Sequence, residues 1–592
     1  MIGARRAAYW IFPSLLCLAL YWRGFTAWFR ADDFAWILLA QQVHDFRSLL
    51  HALFSPAAQG TIHAWSGRLF FLAGYDWFGL DSVPFRVVIF ATQFANLVLV
   101  TVLGNRIAGN RQAGFWAAIL WVLNSALVYP LGWVCVYNQV MVAFFLLLTL
   151  YLTWDHSVLR PSAVAAFVIG FGAQEINLVY PAIAAAYCLV WRRKDLLRTL
   201  PLFALSVIYV IVHNVVAPVH KTGTYAMHYT GSVLGTLAKY WLWAMGPMWL
   251  EEPFRVPGWV LAIGAVAVSL GLLAFAVGKG RRAGFCVAWF VITIAPVLPM
   301  RDHMTEYYLY VPAIGLCWLG GWALAEAPRR VVAVALAVLY VAMAVPRVLA
   351  GSERNYRIAG RVKNLVEGVA RVHELHPGKA VLLDGVDEDL FWSGILDHPF
   401  QVIGVDQVYL TSGTLPGIGD AREFVLAPAL AAQGLTRGEA VVYDVRGPQL
   451  RNITNNYAAT LQQVPPPANV DVSNPLAFSF LGPEWYGIDG NHRWMARRAS
   501  VRIAAPANAG QKLYLRGYCP KEQFHAAVSV TVDGMALTRA PVETESFELA
   551  FALPAAVVGR PSMEVAIEVS RTFRASGDPR ELGLAFGTLE VR

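Results

Sequence analysis

Charged residues are scarce in this sequence. Asp, Glu, Lys and Arg make up 15% of its 592 residues, where a soluble chain carries about 25%. That shortage excludes a single soluble enzyme. With 57% hydrophobic residues, intrinsic disorder and a collagen-like chain are excluded as well. The six cysteines form no framework: Cys17, Cys135, Cys188, Cys286 and Cys317 sit inside apolar runs, and Cys519 stands alone in the polar part. No CxxC or Cys/His spacing suggests zinc, so the cysteines read as small buried hydrophobes. No internal repeat is present.

What the chain does have is long apolar runs, nearly all before residue 350. Between successive charges these are 7–22, 87–105, 112–154, 161–174, 176–191, 199–220, 256–278, 283–300, 307–325 and 331–346. A spanning helix needs about 20 apolar residues. The run 112–154 is long enough for two helices, with Tyr129-Pro130-Leu131-Gly132 as the break, which gives 11 spans. Joining 161–174 and 176–191 into one bent helix would give 10, but 11 makes the charges alternate. On that count one side holds 14 cations in 35 residues, Arg192, Arg193 and Lys194 among them, and the other holds nine in more than a hundred. The positive-inside rule then puts the N-terminus in the cytoplasm and everything after about 350 outside. The net charge of +8 is mostly this topology signal, so nucleic acid is not an expected partner. Residues 7–22 lack an A-x-A-like cleavage site and read as a first span. The expected location is a bacterial inner membrane, multi-pass, with periplasmic C-terminal domains.

The polar remainder divides in two. Residues 352–376 read as an amphipathic connecting helix. Ala380–Asp384 and Glu439–Tyr443 read as strands of a small α/β module ending near 463, and Pro465-Pro466-Pro467 as a linker. Alternating runs at Ala499–Ile503, Lys512–Gly517, Ala527–Val532, Ser546–Ala550, Met563–Val569 and Phe586–Val591 predict a β-sandwich over 464–592. The expected fold class is therefore a polytopic α-helical membrane domain (1–351), a small α/β module (352–463) and a β-sandwich.

Two adjacent carboxylates open the first outer loop: Phe29-Arg30-Ala31-Asp32-Asp33-Phe34-Ala35-Trp36. Like charges this close raise one pKa, which suits a general base or a cation ligand. The plain alternative is a solvated N-cap pair opening a helix over 34–42. An Asp-Asp pair after the first span, in a large outer loop, resembles the GT-C superfamily of polyprenyl-phosphate-dependent glycosyltransferases, with the protein O-mannosyltransferase-like branch closest. Three further stretches are similar to that branch: Gly79-Leu80-Asp81-Ser82-Val83-Pro84-Phe85-Arg86, Gly172–Pro181 with Gln174 where the family has lysine, and Asp302–Pro312. The likeness covers roughly residues 25–325.

The resemblance implies transfer of a sugar, with inversion, from a polyprenyl-phosphate donor to an acceptor hydroxyl on a protein, glycan or lipid. It makes Asp32 the base, with Asp33 in a position the family fills with glutamate. A donor phosphate calls for outer cations near the interface. Arg301 and His303 are best placed, with Arg68, Lys221 and His228 behind them; headgroup anchoring is the competing role. Glu175 interrupts an apolar stretch and must face a cavity or a partner. His63–Arg68 is either an acceptor groove or an interfacial helix. No cofactor is assigned, and a divalent cation, Mg²⁺ or Mn²⁺, is left open. The C-terminal end resembles a carbohydrate-binding-like β-sandwich, in which Trp485, Tyr486 and Trp494 either stack on sugars or fill the core. Two other functions compete. A transporter or export component for a glycan or lipid-linked sugar needs matched interrupted halves, which are absent; a mere anchor needs neither 11 spans nor Glu175.

Overall fold

Five helices in the computed structural model are long and apolar enough to cross a membrane, among the described residues: Val83–Ala108, Val134–Thr153, Arg193–Val216, Gly258–Lys279 and Arg330–Leu375. A sixth is counted if Arg111–Val122 and Ser125–Gly132, bent by 62°, form one span. The described residues are 2–56, 61–218, 223–246, 256–414, 418, 422–426, 428–463, 466–474, 477, 480–575, 578 and 580–592. The other expected spans are helical but carried by Ile2–Thr26 and by shorter helices, Pro161–Gly170, Tyr180–Trp191, Arg281–Ile294 and Pro312–Glu326. The apolar helices make this a multi-pass membrane protein, followed by a β-rich region. The chain divides into two compact units, Met1–Lys363 and Asn364–Arg592.

In the first unit, Pro312–Glu326 is buried along nearly its whole length. Its neighbours come close because small residues face them. A methyl on Gly321 would stand 2.3 Å from the Ala113 carbonyl, and one on Gly114 would stand 2.0 Å from that of Thr101. Such contacts replace the hydrophobic drive that lipid cannot supply. Buried indole N–H groups need acceptors. Trp121 donates to Tyr310 O (3.0 Å) and Trp289 to Val311 O (2.9 Å), both carbonyls at the entry of this helix.

One expected break is joined by a second, and one boundary moves. The run 112–154 bends at Asn124, whose side chain accepts from Ala126 N at 2.9 Å, and breaks again at the extended Trp133, directly after the short helix Val128–Gly132 that holds the expected Tyr129–Gly132 break. The connecting helix is not separate: Arg330–Leu375 runs as one 46-residue helix through Pro346, so position 351 lies within it. Runs 161–174 and 176–191 form two helices with a break between. The carbonyls this break frees are satisfied locally: Asn177 Nδ2 donates to Phe167 O (2.6 Å), Trp65 Nε1 to Ile169 O (2.9 Å), Trp65 N to Gly172 O (2.8 Å) and Ser66 Oγ to Ala173 O (2.6 Å). A backbone break at membrane depth is tolerable only with such partners.

The second unit opens with a four-stranded sheet in the order Val408–Leu410, Ala380–Asp384, Ala440–Asp444, Arg451–Asn452, the first three parallel. Two mainly antiparallel sheets follow. One holds Met535–Ala536, Ala527–Val532, Met563–Val569 and Arg498–Ile503; the other holds Ser546–Ala552, Lys512–Tyr518, Ala585–Val591, His492–Met495 and Trp485–Asp489. Their inward residues share one apolar core that includes Val501, Leu515, Val530, Ile567 and Phe586. Trp485 and Trp494 are both 8% exposed. Their indoles donate to Ser500 O (2.9 Å) and Asp489 Oδ2 (3.3 Å), and the Tyr486 hydroxyl donates to Glu581 O (2.9 Å). Both tryptophans fill interior space.

Candidate active site

The chain leaves its first helix and turns at Ala31, which takes a φ of 49°, a conformation that costs a non-glycine residue energy. The helix Asp33–Leu38 then starts, and Asp32 stands at its N-cap position without making a side-chain cap hydrogen bond. The cap-pair alternative therefore does not describe Asp32.

The two carboxylates differ sharply. Asp33 is 0% exposed. Its Oδ2 accepts from Arg30 N at 2.9 Å and its Oδ1 from Cys135 N at 2.6 Å. Burial pushes its carboxyl up to about 7, against the opposing pull of Arg86, the two N–H donors and Arg30. Asp32 is half-buried; burial raises its carboxyl too, offset by its own backbone and by Arg30. Its Oδ2 lies 4.0 Å from the Cys135 thiol. Its charge acts on the hydroxyls of Tyr225 and Tyr307.

Arg30 is 6% exposed. It lies 4.9 Å from the centre of the Trp133 ring and donates to Asn355 Oδ1 at 3.0 Å. Its charge senses Tyr129, Asp33, Arg354 and Asp32. Asn355 in turn donates to Val128 O at 3.2 Å, which ties the extension of the Arg330–Leu375 helix to the site.

His303 joins this group through its ring, 4.2 Å from that of Tyr225, and through the Tyr307 hydroxyl 3.5 Å from its Nε2. Burial lowers its pKa. Arg301, 47% exposed, faces Asp302 at 3.6 Å, and Asp302 also meets His228 Nε2 at 2.9 Å. Lys221 lies outside the described residues.

Arg68 turns inward. It is 1% exposed and donates to the carbonyls of Ala52 (2.9 Å), Thr61 (2.6 Å) and Ser55, which leaves its guanidinium bracing the loop. Glu175 meets His63 Nε2 at 2.7 Å and His213 Nε2 at 3.4 Å. This pair of histidines answers the demand that an intramembrane carboxylate find partners. Arg68 feels the Glu175 charge and lies 5.5 Å from the Trp36 ring centre.

These carboxylates do not form a divalent-cation set. Asp33 has both oxygens occupied by N–H donors, and Glu175 is paired with histidines. Among the described residues no three His, Cys, Asp or Glu side chains gather as metal ligands. A cavity of about 380 Å³ lies elsewhere, lined by apolar side chains such as Leu272, Leu316 and Leu336 with Tyr340 and Asn124.

Sequence reasoning passed over Arg30, Cys135, Tyr225, Tyr307, Asn355 and His213. Arg30 was legible as the cation beside the pair. Cys135, Tyr225, Tyr307 and Asn355 approach from positions 100 to more than 300 residues away and left no local signal, while His213, a polar residue in an apolar run, was a partner within reach of Glu175.

The fold is that of a multi-pass helical membrane protein with a β-rich second unit. No protein-family profile matches the chain, and a comparison with curated proteins finds no match. Among solved structures, ArnT from Cupriavidus metallidurans bound to undecaprenyl phosphate is similar at 12% identity over 77% of this chain and 95% of that one, with a TM-score of 0.43. The arabinofuranosyltransferase AftD from Mycobacteria is similar at 13% identity and a TM-score of 0.43, over 99% of this chain and 59% of that one.

Proposed function

We propose that the chain is a membrane glycosyltransferase of the GT-C kind, moving a sugar from a polyprenyl-phosphate donor to an acceptor hydroxyl on the outer side. The observation that carries this reading is the split within the Asp pair. Asp33 spends both oxygens on backbone N–H groups, while Asp32, half-buried, caps nothing and faces tyrosines.

In this reading Asp32 takes the proton of the acceptor hydroxyl as its oxygen attacks the anomeric carbon. The bond from that carbon to the phosphate oxygen breaks on the opposite face, so the configuration inverts. The leaving group is already a stable anion and needs positive charge more than a proton. Arg301 supplies that charge from the outer rim, with Lys221 as a further outer cation and Arg30, beside the Asp pair, as an inner one, while His303 and His228 offer ring N–H donors to the phosphate oxygens. Arg68 fixes Ala52 and Thr61 through their carbonyls, and Glu175 fixes His63 and His213. In this reading the N-terminus is cytoplasmic, and Asp32 and the second unit are both external.

The test is turnover. Purified protein is incubated with radiolabelled undecaprenyl-phosphate mannose, glucose, galactose and arabinose. Consumption of one donor with release of polyprenyl phosphate supports the proposal. Consumption of none, with transport of a labelled lipid across a vesicle, refutes it.

A further inference from the structure

We infer that Cys135, held by Trp36, is a positioning residue for Asp32; this rests on the general-base reading above. Three contacts converge on Cys135. Its backbone N–H donates to Asp33 Oδ1 at 2.6 Å. Its sulfur accepts from Trp36 Nε1 at 3.2 Å. Its thiol points at Asp32 Oδ2, 4.0 Å away. One residue therefore touches both carboxylates, and each in a different manner: the buried one through a fixed backbone donor, the half-buried one through a side-chain donor.

The consequences follow from hydrogen-bond chemistry. An indole N–H given to the sulfur polarises the thiol and strengthens its own donation. A donor aimed at a carboxylate favours the charged form, which is the form a base requires. It also restricts the carboxylate's rotation, so the oxygen that meets the acceptor hydroxyl keeps one orientation. Trp36 is itself fixed, because the Arg68 guanidinium lies 5.5 Å from its ring centre and Arg68 is anchored on loop carbonyls. The thiol thus connects the braced loop to the base. The other groups that bear on Asp32 are Arg30, Tyr225 and Tyr307. Asp33 sits beside it with Arg86, and His303 stacks on Tyr225. Of these, Tyr225 and Tyr307 also feel Cys135, which is why C135S, keeping a donor at the same place, serves as the control.

Two readouts test this on the full-length protein in detergent. The first needs no substrate. Cys135 is the half-buried cysteine, the other five being buried, so N-ethylmaleimide at pH 8 reports on it. Removing the neighbouring negative charge favours the thiolate, and D32N should label several-fold faster than the wild type. Equal labelling rates would mean that the thiol does not sense Asp32, and the inference falls.

The second readout uses the donor that turns over in the panel above. C135A should lower kcat by roughly 10-fold, equivalent to about 1.4 kcal/mol, with KM little changed and the acid limb of the kcat profile moved to higher pH. C135S, which keeps a donor and an acceptor, should restore most of the rate, and W36F should move the limb the same way by less. Wild-type turnover in C135A overturns the inference, as does equal loss in C135A and C135S with no movement of the limb. If D32N itself turns over normally, the general-base reading has failed instead, and the labelling arm still reports on the contact.

Discussion

Asp32 and Asp33 are adjacent in sequence and opposite in environment. Asp33 is sealed, with its two oxygens 2.9 and 2.6 Å from the backbone nitrogens of Arg30 and Cys135. Asp32, one residue earlier, keeps a half-exposed carboxylate at the same turn. The turn that carries them passes through Ala31 at a φ of 49°. The buried member ties the turn together, and the half-exposed member is the proposed base.

That split predicts different costs for the two amides. In Asp33→Asn, one oxygen becomes an NH₂ group facing a backbone N–H, and a buried donor loses its acceptor. The expected loss of stability is about 1–3 kcal/mol, read by thermal unfolding in detergent. Asp32→Asn should leave the melting temperature nearly unchanged, because that carboxylate holds no cap.

Asp33 also predicts a pH dependence. Its folded carboxyl is raised to about 7, above the unfolded value of about 3.9. The folded state therefore holds the proton more tightly. Its contribution to stability is complete below pH of about 4, is lost as pH rises toward 7, and changes no further above that. Denaturation followed from pH 5 to 8 should show this decline in the wild type and not in Asp33→Asn.

Arg301→Gln should raise KM for the lipid-phosphate donor by about 3–10-fold with kcat nearly constant, since a rim cation meets the phosphate in ground and transition states alike. The fold should survive, because the exposed contact with Asp302 contributes little. An unchanged KM would leave Arg301 as a headgroup anchor.

Much of the fold was legible because apolar runs and strict alternation are strong signals. Ala380–Asp384, Ala527–Val532 and Met563–Val569 form the strands that their patterns predict. The helix boundaries were less legible. Tyr129–Gly132 marked the break before Val134–Thr153, with the extended Trp133 just after it, but the earlier bend capped by the Asn124 side chain carried no proline to announce it. The returning charges after Arg347 looked like a new element, although a helix can leave the bilayer without ending. In the site, two acids in an apolar chain stood out, but their partners did not. Asn355 reaches Arg30 across 325 residues of sequence, and only folding brings them together. Glu175 announced that it needed a partner, and His213, a polar residue in an apolar run, was the available clue.

The topology has its own test. A reporter active only outside the cytoplasm, fused after Arg592, should be active, as the cation asymmetry between the two faces requires. Activity of a cytoplasmic reporter at the same position would contradict an odd number of spans and put the second unit on the wrong side.

The most direct measurement is turnover by Asp32→Asn with the donor that the wild type consumes. The substitution keeps size and most hydrogen bonding but cannot accept a proton. General-base catalysis contributes about 10²–10⁴-fold, so kcat should fall by that factor while donor binding and melting temperature stay close to wild type. Near-normal sugar transfer by Asp32→Asn would contradict the account, because no base would then be missing from the site built around this residue.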